Sequence, residues 1–359
     1  MQVREDASLA TFTTLGLGGR ARLFVECATE EDVRAALSLA AERRLPLYVL
    51  GGGSNVVFAD AGFPGLVARI IVGGIEFRDG PTPEVTAGAG IDWDTVVQGT
   101  VERGWTGVEC LSGIPGTVGG TPIQNVGAYG QEIADTLVSV ACLDRATLQR
   151  RTFTGPECAF AYRDSRFKRG DRERFVVLDV TLRLARGAWP RIRYPELERA
   201  VAGMAGFERA APADAVRLVR QAVLALRRAK SMVLDPADPN TRSVGSFFTN
   251  PVLSAAAFAD LQARSPAPIP SFPAAGGMKV PAAWLVEQAG FPKGFRRGGA
   301  GISTRHALAL VNLGGTSAEL LALAETVRAG VESRFGVRLE YEPEVVRVPT
   351  ASPPPSRSR

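Results

Sequence analysis

Five residue groups in this chain have types and spacings that could do chemistry. Ser246 stands between Gly245 and two aromatics in GSFFTNP (245–251). A hydroxyl there is a turn or cap residue, or a group placed to act. Arg163 belongs to YRDSRFK (162–168), a basic run with interleaved aromatics that a solvated, salt-bridged turn would also explain. Glu344 precedes Val345 and Val346 in an apparent strand, as an edge residue or as one facing a site. His306 is the only histidine, which excludes HExxH chemistry and zinc sites that need several imidazoles. With no GxSxG turn, a Ser-His-Asp hydrolase is rejected as well. Cys27, Cys110, Cys142 and Cys158 form no CxxC pair and read as reduced, mostly buried thiols.

Two glycine-rich segments complete the set. GGGSN (51–55) alone is explained by a tight turn. GIPGTVGGTPIQNVGAYG (113–130) is harder to explain as scaffold. Its spacing supports no long regular element, and an irregular buried loop leaves backbone groups needing partners. A ligand that supplies them, close to the backbone, is the economical reading.

The elements that must hold these residues follow from periodicity. Thr29 to Arg44 reads as a helix capped by Thr29, with Val33, Ala36, Leu37, Ala40 and Ala41 as its apolar stripe. Leu47 to Leu50 is a buried strand running into GGGSN, and strand-like residues 56–58 and 66–71 follow. A Rossmann or P-loop site needs its glycines to open a helix. Here strand follows turn follows strand, so a dinucleotide would be held by the amides of the loop itself. Further strands are expected at 84–90, 137–143, 175–184, 307–313 and 337–348, the last carrying Glu340, Glu342 and Glu344. Helices are expected at 92–103, 214–230 and 281–288, and another opens at the Thr316/Glu319 capping box. Ala/Gly-rich 200–212 reads as a linker, with a domain boundary near residue 205.

Composition fits a soluble globular protein of more than one domain: 359 residues, 45% hydrophobic and 22% charged. The net charge is +5, or +3 without Arg357 and Arg359 of the TASPPPSRSR tail. With 7% aromatics, this modest excess suits anionic small ligands better than nucleic acid. The longest uncharged stretch, 110–131, contains six glycines and two prolines and is no membrane helix. No signal peptide is evident, and a cytoplasmic location is expected.

Taken in order, TFTTLGLGG (11–19), LGGGSN (50–55), the 113–130 segment, YRDSRFK, GSFFTNP, AAWLVEQAG (282–290) and EPEV (342–345) resemble the UDP-N-acetylenolpyruvoylglucosamine reductase family over residues 10–349. The resemblance implies an α+β chain with a vanillyl-alcohol-oxidase-like (PCMH-type) two-part FAD-binding domain and a smaller α+β substrate-binding domain. The divisions it suggests are 1–72 and 73–205 for FAD, 206–335 for substrate, 336–349 as a strand delivering Glu344, and a disordered 350–359. It implies reduction of UDP-N-acetylglucosamine-enolpyruvate by NADPH through non-covalent FAD in a monomer, with no metal. Leu50, Gly51, Gly52, Gly53, Ser54, Asn55, Gly113, Ile114, Pro115, Gly116, Gly119, Gly120, Gln124, Asn125, Gly127, Ala128, Tyr129 and Gly130 would contact FAD. Arg163 and Glu344 would meet the substrate carboxylate, and Ser246 would protonate the adjacent carbon. Tyr194, Lys230, Asn250 and His306 match substrate positions, and the interval from Arg163 to Ser246 resembles the subgroup with a longer Tyr-bearing loop. Thr249 stands where Lys or Arg is common. A flavin oxidase of the same wider fold, or a nucleotide-sugar-binding protein without flavin, would be told apart by NADPH-driven flavin reduction and by a visible spectrum.

Overall fold

The computed structural model describes residues 1–265 and 268–347. Its first sheet orders the strands Val3–Ser8, Arg20–Cys27, Phe63–Ile70 and Leu47–Leu50, the first pairing antiparallel and the other two parallel. Parallel strands need a crossover, and the helix Glu30–Glu42 lies between two of them in sequence. The Thr29 hydroxyl accepts the Asp32 N–H at 3.1 Å, and Glu30, Glu31 and Asp32 complement the dipole of the first turn. Val33, Ala36, Leu37 and Ala40 are buried, whereas Ala41, expected in the same stripe, is exposed.

Five antiparallel strands form the second sheet, in the order Arg150–Thr154, Leu137–Asp144, Phe175–Arg183, Glu84–Gly88, Ile75–Arg78. Val176, Leu178, Val180 and Leu182 are buried as their alternation predicts, and Phe175 and Val177 are buried too, so the strand is covered on both faces where it begins. Trp93, Val96 and Val97 of the helix Trp93–Glu102 join both sheets in one core. The 113–130 segment carries only short turns, at Val118–Gly120 and Thr121–Gln124, and the two-residue strand Gly127–Ala128.

Residues 200–212 are not a bare linker. Pro195–Ala202 is a helix, and Leu197, Val201 and Phe207 pack with Val219 and Val223 of the helix Pro212–Ala229 into a small core of their own. Alanine is the best helix former, and two buried branched residues suffice to dock so short a helix. Beyond it, Ser243–Ser246, Ala309–Asn312, Ala300–Ile302 and Arg296–Arg297 form an antiparallel sheet. Its core includes residues of the helices Ala282–Gln288 and Ser317–Phe335, together with Leu15 and Leu17 from the chain start. The capping box of Thr316 and Glu319 is present, and Gly336 ends the long helix at φ +69°. Helix Ala255–Arg264 and the strand pair Phe272–Ala274 and Gly277–Lys279 carry no clear sequence signal.

The expected strand 337–348 shrinks to Glu344–Val346, parallel to Val56–Phe58 with Glu344 opposite Val56. Pro343 has no N–H for a ladder, and before it only a bridge joins Tyr341 to Phe248. Val348 and the 350–359 tail lie outside the described residues. Among the described residues no helix is long and apolar enough to cross a membrane.

Candidate active site

A cleft of about 710 Å³ is lined from 47–56, 114–127, 163–177, 227–246 and 341–345. The two glycine segments meet in it. A Cβ on Gly52 would stand 2.8 Å from the Gly116 Cα, so only glycine lets the loops touch. Gly53 sits at φ +66°, where a Cβ would collide with the Phe12 carbonyl. The Ser54 hydroxyl donates to the Pro115 carbonyl at 2.9 Å, tying one loop to the other. The N–H groups of Gly52, Gly53, Ser54 and Gly116 find no acceptor among the described residues. Successive N–H groups held free in a turn form an anion-binding concavity.

Arg227 adds charge to this cleft. Its Nη2 donates to the Met232 carbonyl at 2.7 Å, while its Nε is enclosed without a partner. Burial lowers its pKa to about 10, which leaves it cationic at neutral pH. Asp94, an acid that attracts it, is engaged by Arg220 at 2.6 and 2.8 Å and by the Gly113 N–H. At Gly120 a Cβ would meet nothing within 4 Å. An enclosed guanidinium without an anion, free loop amides and open space beside a glycine fit a diphosphate-bearing dinucleotide such as FAD.

Side chains crowd the other part of the cleft. Ser246 ends its strand opposite Ala309, and its hydroxyl makes no hydrogen bond among the described residues. Arg163, at φ +54°, donates from Nη2 to the Gly127 carbonyl at 2.6 Å. Its Nε lies 3.1 Å from Glu342 Oε1, and the Gln124 amide donates to that same oxygen at 3.1 Å. Lys168 donates to Gln124 Oε1 and to the Arg163 carbonyl, both at 2.9 Å, and burial lowers its pKa. Glu344 also lines the cleft but faces other partners. Tyr48 donates to its Oε2 at 2.9 Å, and Arg172 Nη2 lies 3.2 Å from its Oε1. Burial first, and the Glu344 charge second, hold the Tyr48 hydroxyl well above the usual phenol range.

Arg163, Ser246 and Glu344 thus share one cleft with Leu50 to Asn55, Ile114, Pro115, Gly116, Gly119, Gly120, Gln124 and Gly127. Gly113, Asn125, Ala128, Tyr129 and Gly130 do not line it. Asn125 is buried at φ +45°, donating to Glu132 and the Ala161 carbonyl and accepting from the Ala134 N–H, which is a scaffold's work. Tyr194, 45% exposed, meets Tyr129 edge-on at 5.5 Å. Lys230 pairs with Glu196 at 2.5 Å. Asn250 accepts the Ala282 N–H at 2.8 Å and donates to Tyr162 at 3.3 Å. His306 accepts the Leu308 N–H on Nδ1 at 3.1 Å. Glu342, Lys168 and Arg227 line the cleft as well, though residue type alone marks none of them as a site residue. The first two lie inside EPEV and YRDSRFK, and Arg227 stands one helical turn before Lys230.

Comparison with known proteins agrees with this geometry. Residues 21–149 match the family model of an FAD binding domain, and 235–346 match that of the UDP-N-acetylenolpyruvoylglucosamine reductase C-terminal domain. The reductase of that name from Thermobifida fusca is 49% identical, over 96% of this chain and 98% of its own. The one from Nocardia farcinica is 47% identical over 96% of this chain and 90% of its own. The crystal structure of the Thermus caldophilus enzyme matches with a TM-score of 0.66 at 26% identity, over 96% of this chain and 99% of that one. The chain belongs to the UDP-N-acetylenolpyruvoylglucosamine reductase family; it is an oxidoreductase, and FAD is its cofactor.

Proposed function

We propose that this chain reduces the enolpyruvyl group of UDP-N-acetylglucosamine-enolpyruvate to UDP-N-acetylmuramate, with NADPH as reductant, in peptidoglycan precursor synthesis. Supporting this reading is one observation above the rest: the glycine loops, Arg163 and the unbonded hydroxyl of Ser246 line a single cleft. FAD, when bound, supplies the hydride that reaches the terminal carbon of the enol ether.

The chain's own residues do the remainder. Loop amides of 52–54 and 116, with Arg227, hold the cofactor's anionic part. Neither His306 nor any cysteine lines the cleft, and burial raises the pKa of all four thiols, so attachment is non-covalent. Hydride addition leaves negative charge on the carbon beside a carboxylate, and Arg163 meets that carboxylate with a permanent, planar cation. Lys168 reinforces the field from behind. Glu344, which lines the same cleft, serves as the second group at the carboxylate once it leaves Arg172. Ser246 gives its proton to the adjacent carbon. A hydroxyl is a weak acid, useful here because the receiving carbanion is strongly basic. Tyr194, Lys230, Asn250 and His306 border the substrate. On this reading most of residues 1–205 serves the cofactor and most of 206–335 the substrate, with Arg163, Tyr194 and Arg227 crossing that division, in a cytoplasmic monomer.

The test is stopped-flow spectroscopy in two halves. NADPH bleaches the bound flavin anaerobically, and UDP-N-acetylglucosamine-enolpyruvate restores its yellow colour. Ser246→Ala slows the second step by about a hundredfold or more and spares the first. Equal loss in both halves would remove Ser246 from its role, and a flavin that NADPH leaves oxidised but an alcohol reduces would favour an oxidase.

A further inference from the structure

Glu342 is a part-buried carboxylate in the cleft to which the mechanism above gives no task. We propose that Glu342 is the positioning residue for Arg163, fixing the guanidinium toward the substrate carboxylate; this rests on the function proposed above.

Arg163 needs such a partner. Its backbone is left-handed at φ +54°, a conformation that persists only when the surroundings over-determine it. Its side chain is long and loses rotamer entropy when held still. Four contacts fix it: the Gly127 carbonyl on Nη2, Lys168 on its own carbonyl, the Tyr162 ring 5.3 Å below its Cζ, and Glu342 on Nε. Only the last is an opposite charge. Because Glu342 approaches Nε, the far nitrogen, Nη1, makes no hydrogen bond among the described residues. A Cβ on Gly127 would come within 3.0 Å of that nitrogen, so the glycine keeps the space beside it clear.

Glu342 is itself fixed from two directions. Its N–H donates to the Phe247 carbonyl at 3.0 Å, next to Ser246, and its carbonyl accepts from the Asn55 amide at 3.4 Å. The Glu344 N–H bonds to the Asn55 carbonyl at 3.0 Å, and the Tyr341 ring packs on Phe247 and Phe248. Its carboxylate therefore refers the position of Arg163 both to the cofactor loop and to the residue beside the proton donor. Gln124 shares the carboxylate oxygen and prevents it from swinging away. Glu344 cannot take this part, since both of its oxygens already face Tyr48 and Arg172.

The experiment is a double-mutant cycle on flavin reoxidation, using holoenzyme reduced by NADPH and then mixed with UDP-N-acetylglucosamine-enolpyruvate. Glu342→Ala slows reoxidation at saturating substrate about tenfold or more, because misplacing a positioned group by an ångström is costly. Glu342→Gln, which keeps an oxygen for Arg163 Nε, recovers most of that rate. In an Arg163→Met background, Glu342→Ala adds less than about twofold, the signature of one residue acting through another. A Glu342→Ala rate within twofold of wild type overturns the proposal, as do losses that multiply in full in the double variant. Should Glu342→Ala not retain flavin, Glu342→Asp, which pulls the charge back by one methylene, goes through the same cycle with the same criteria. Wild-type enzyme that NADPH reduces but the enolpyruvyl substrate does not reoxidise overturns the parent function, and this inference with it.

Discussion

The glycine-loop part of the cleft is made of backbone, and the part around Arg163 and Ser246 is made of side chains. Around 51–55 and 113–120 the sequence supplies glycines, whose value is the absence of a side chain: loops touch at Gly52 and Gly116, and four N–H groups stay free. Around Arg163 the guanidinium instead depends on Gly127 and Glu342, brought from elsewhere in the chain, with Gln124 holding Glu342 and nearby Lys168 bonded to the Arg163 carbonyl, while the Ser246 hydroxyl is left unbonded among the described residues. Where its loops touch, a backbone site tolerates almost no substitution, because a Cβ at Gly52 or Gly53 would meet backbone. A side-chain site tolerates substitution in grades, according to how many partners share the load.

The sharpest way to break this contrast is Gly53→Ala. The change places a Cβ against the Phe12 carbonyl and forces alanine to φ +66°, a strain of about 1–3 kcal/mol before the clash is added. We expect protein purified without yellow colour and with a lowered melting temperature; a normal flavin content would show that the loop relaxes and that backbone shape is not limiting. Arg227→Met tests the one side chain assigned to the cofactor part. Loss of a charged donor from an enclosed site costs about 1.5–3 kcal/mol, so the FAD dissociation constant of the apoprotein should rise roughly ten- to hundredfold. An unchanged constant would move Arg227 to the substrate side.

The smallest effect is expected at His306. Burial, and then the charges of Lys230, Lys293 and Arg227, lower the His306 pKa to about 4. An unfolded histidine titrates near 6.5, so between pH 6.5 and 4 the unfolded chain binds the extra proton. The neutral imidazole's stabilising contribution is therefore complete above about pH 6.5 and is lost as the pH falls toward 4. His306→Gln should flatten the dependence of the melting temperature on pH across that window. A variant whose melting temperature keeps the wild-type slope would assign the acid sensitivity to other groups.

Much of this architecture could be read from local pattern. Thr29 and Asp32, Asp92 and Thr95, and Thr316 and Glu319 each mark a helix start, because a cap is a bond between residues three apart. Leu47 to Leu50 is read correctly as a strand entering a glycine turn, which also disposes of a Rossmann site. What stayed hidden depends on distance. Composition at 200–212 suggests a linker, because the residues that bury Val201 lie on another helix. Asn125 and Gln124 look alike in the sequence, yet one is scaffold and the other faces the cleft.

The same limit defines the site. By itself the sequence determined where backbone must be bare, that acid–base work could not rest on a histidine triad, and that cationic groups would face anionic ligands, since each follows from residue type and short spacing. Only the tertiary structure decided that Arg163 meets Glu342 and not Glu344, and that Arg227 is left without an anion. Glu342 and Glu344 are two residues apart, and an extended chain points such residues to the same face. Which of them reaches Arg163 depends on how Asn55, Phe247 and Val56 pin that short segment, and those residues lie about a hundred to three hundred positions away along the chain.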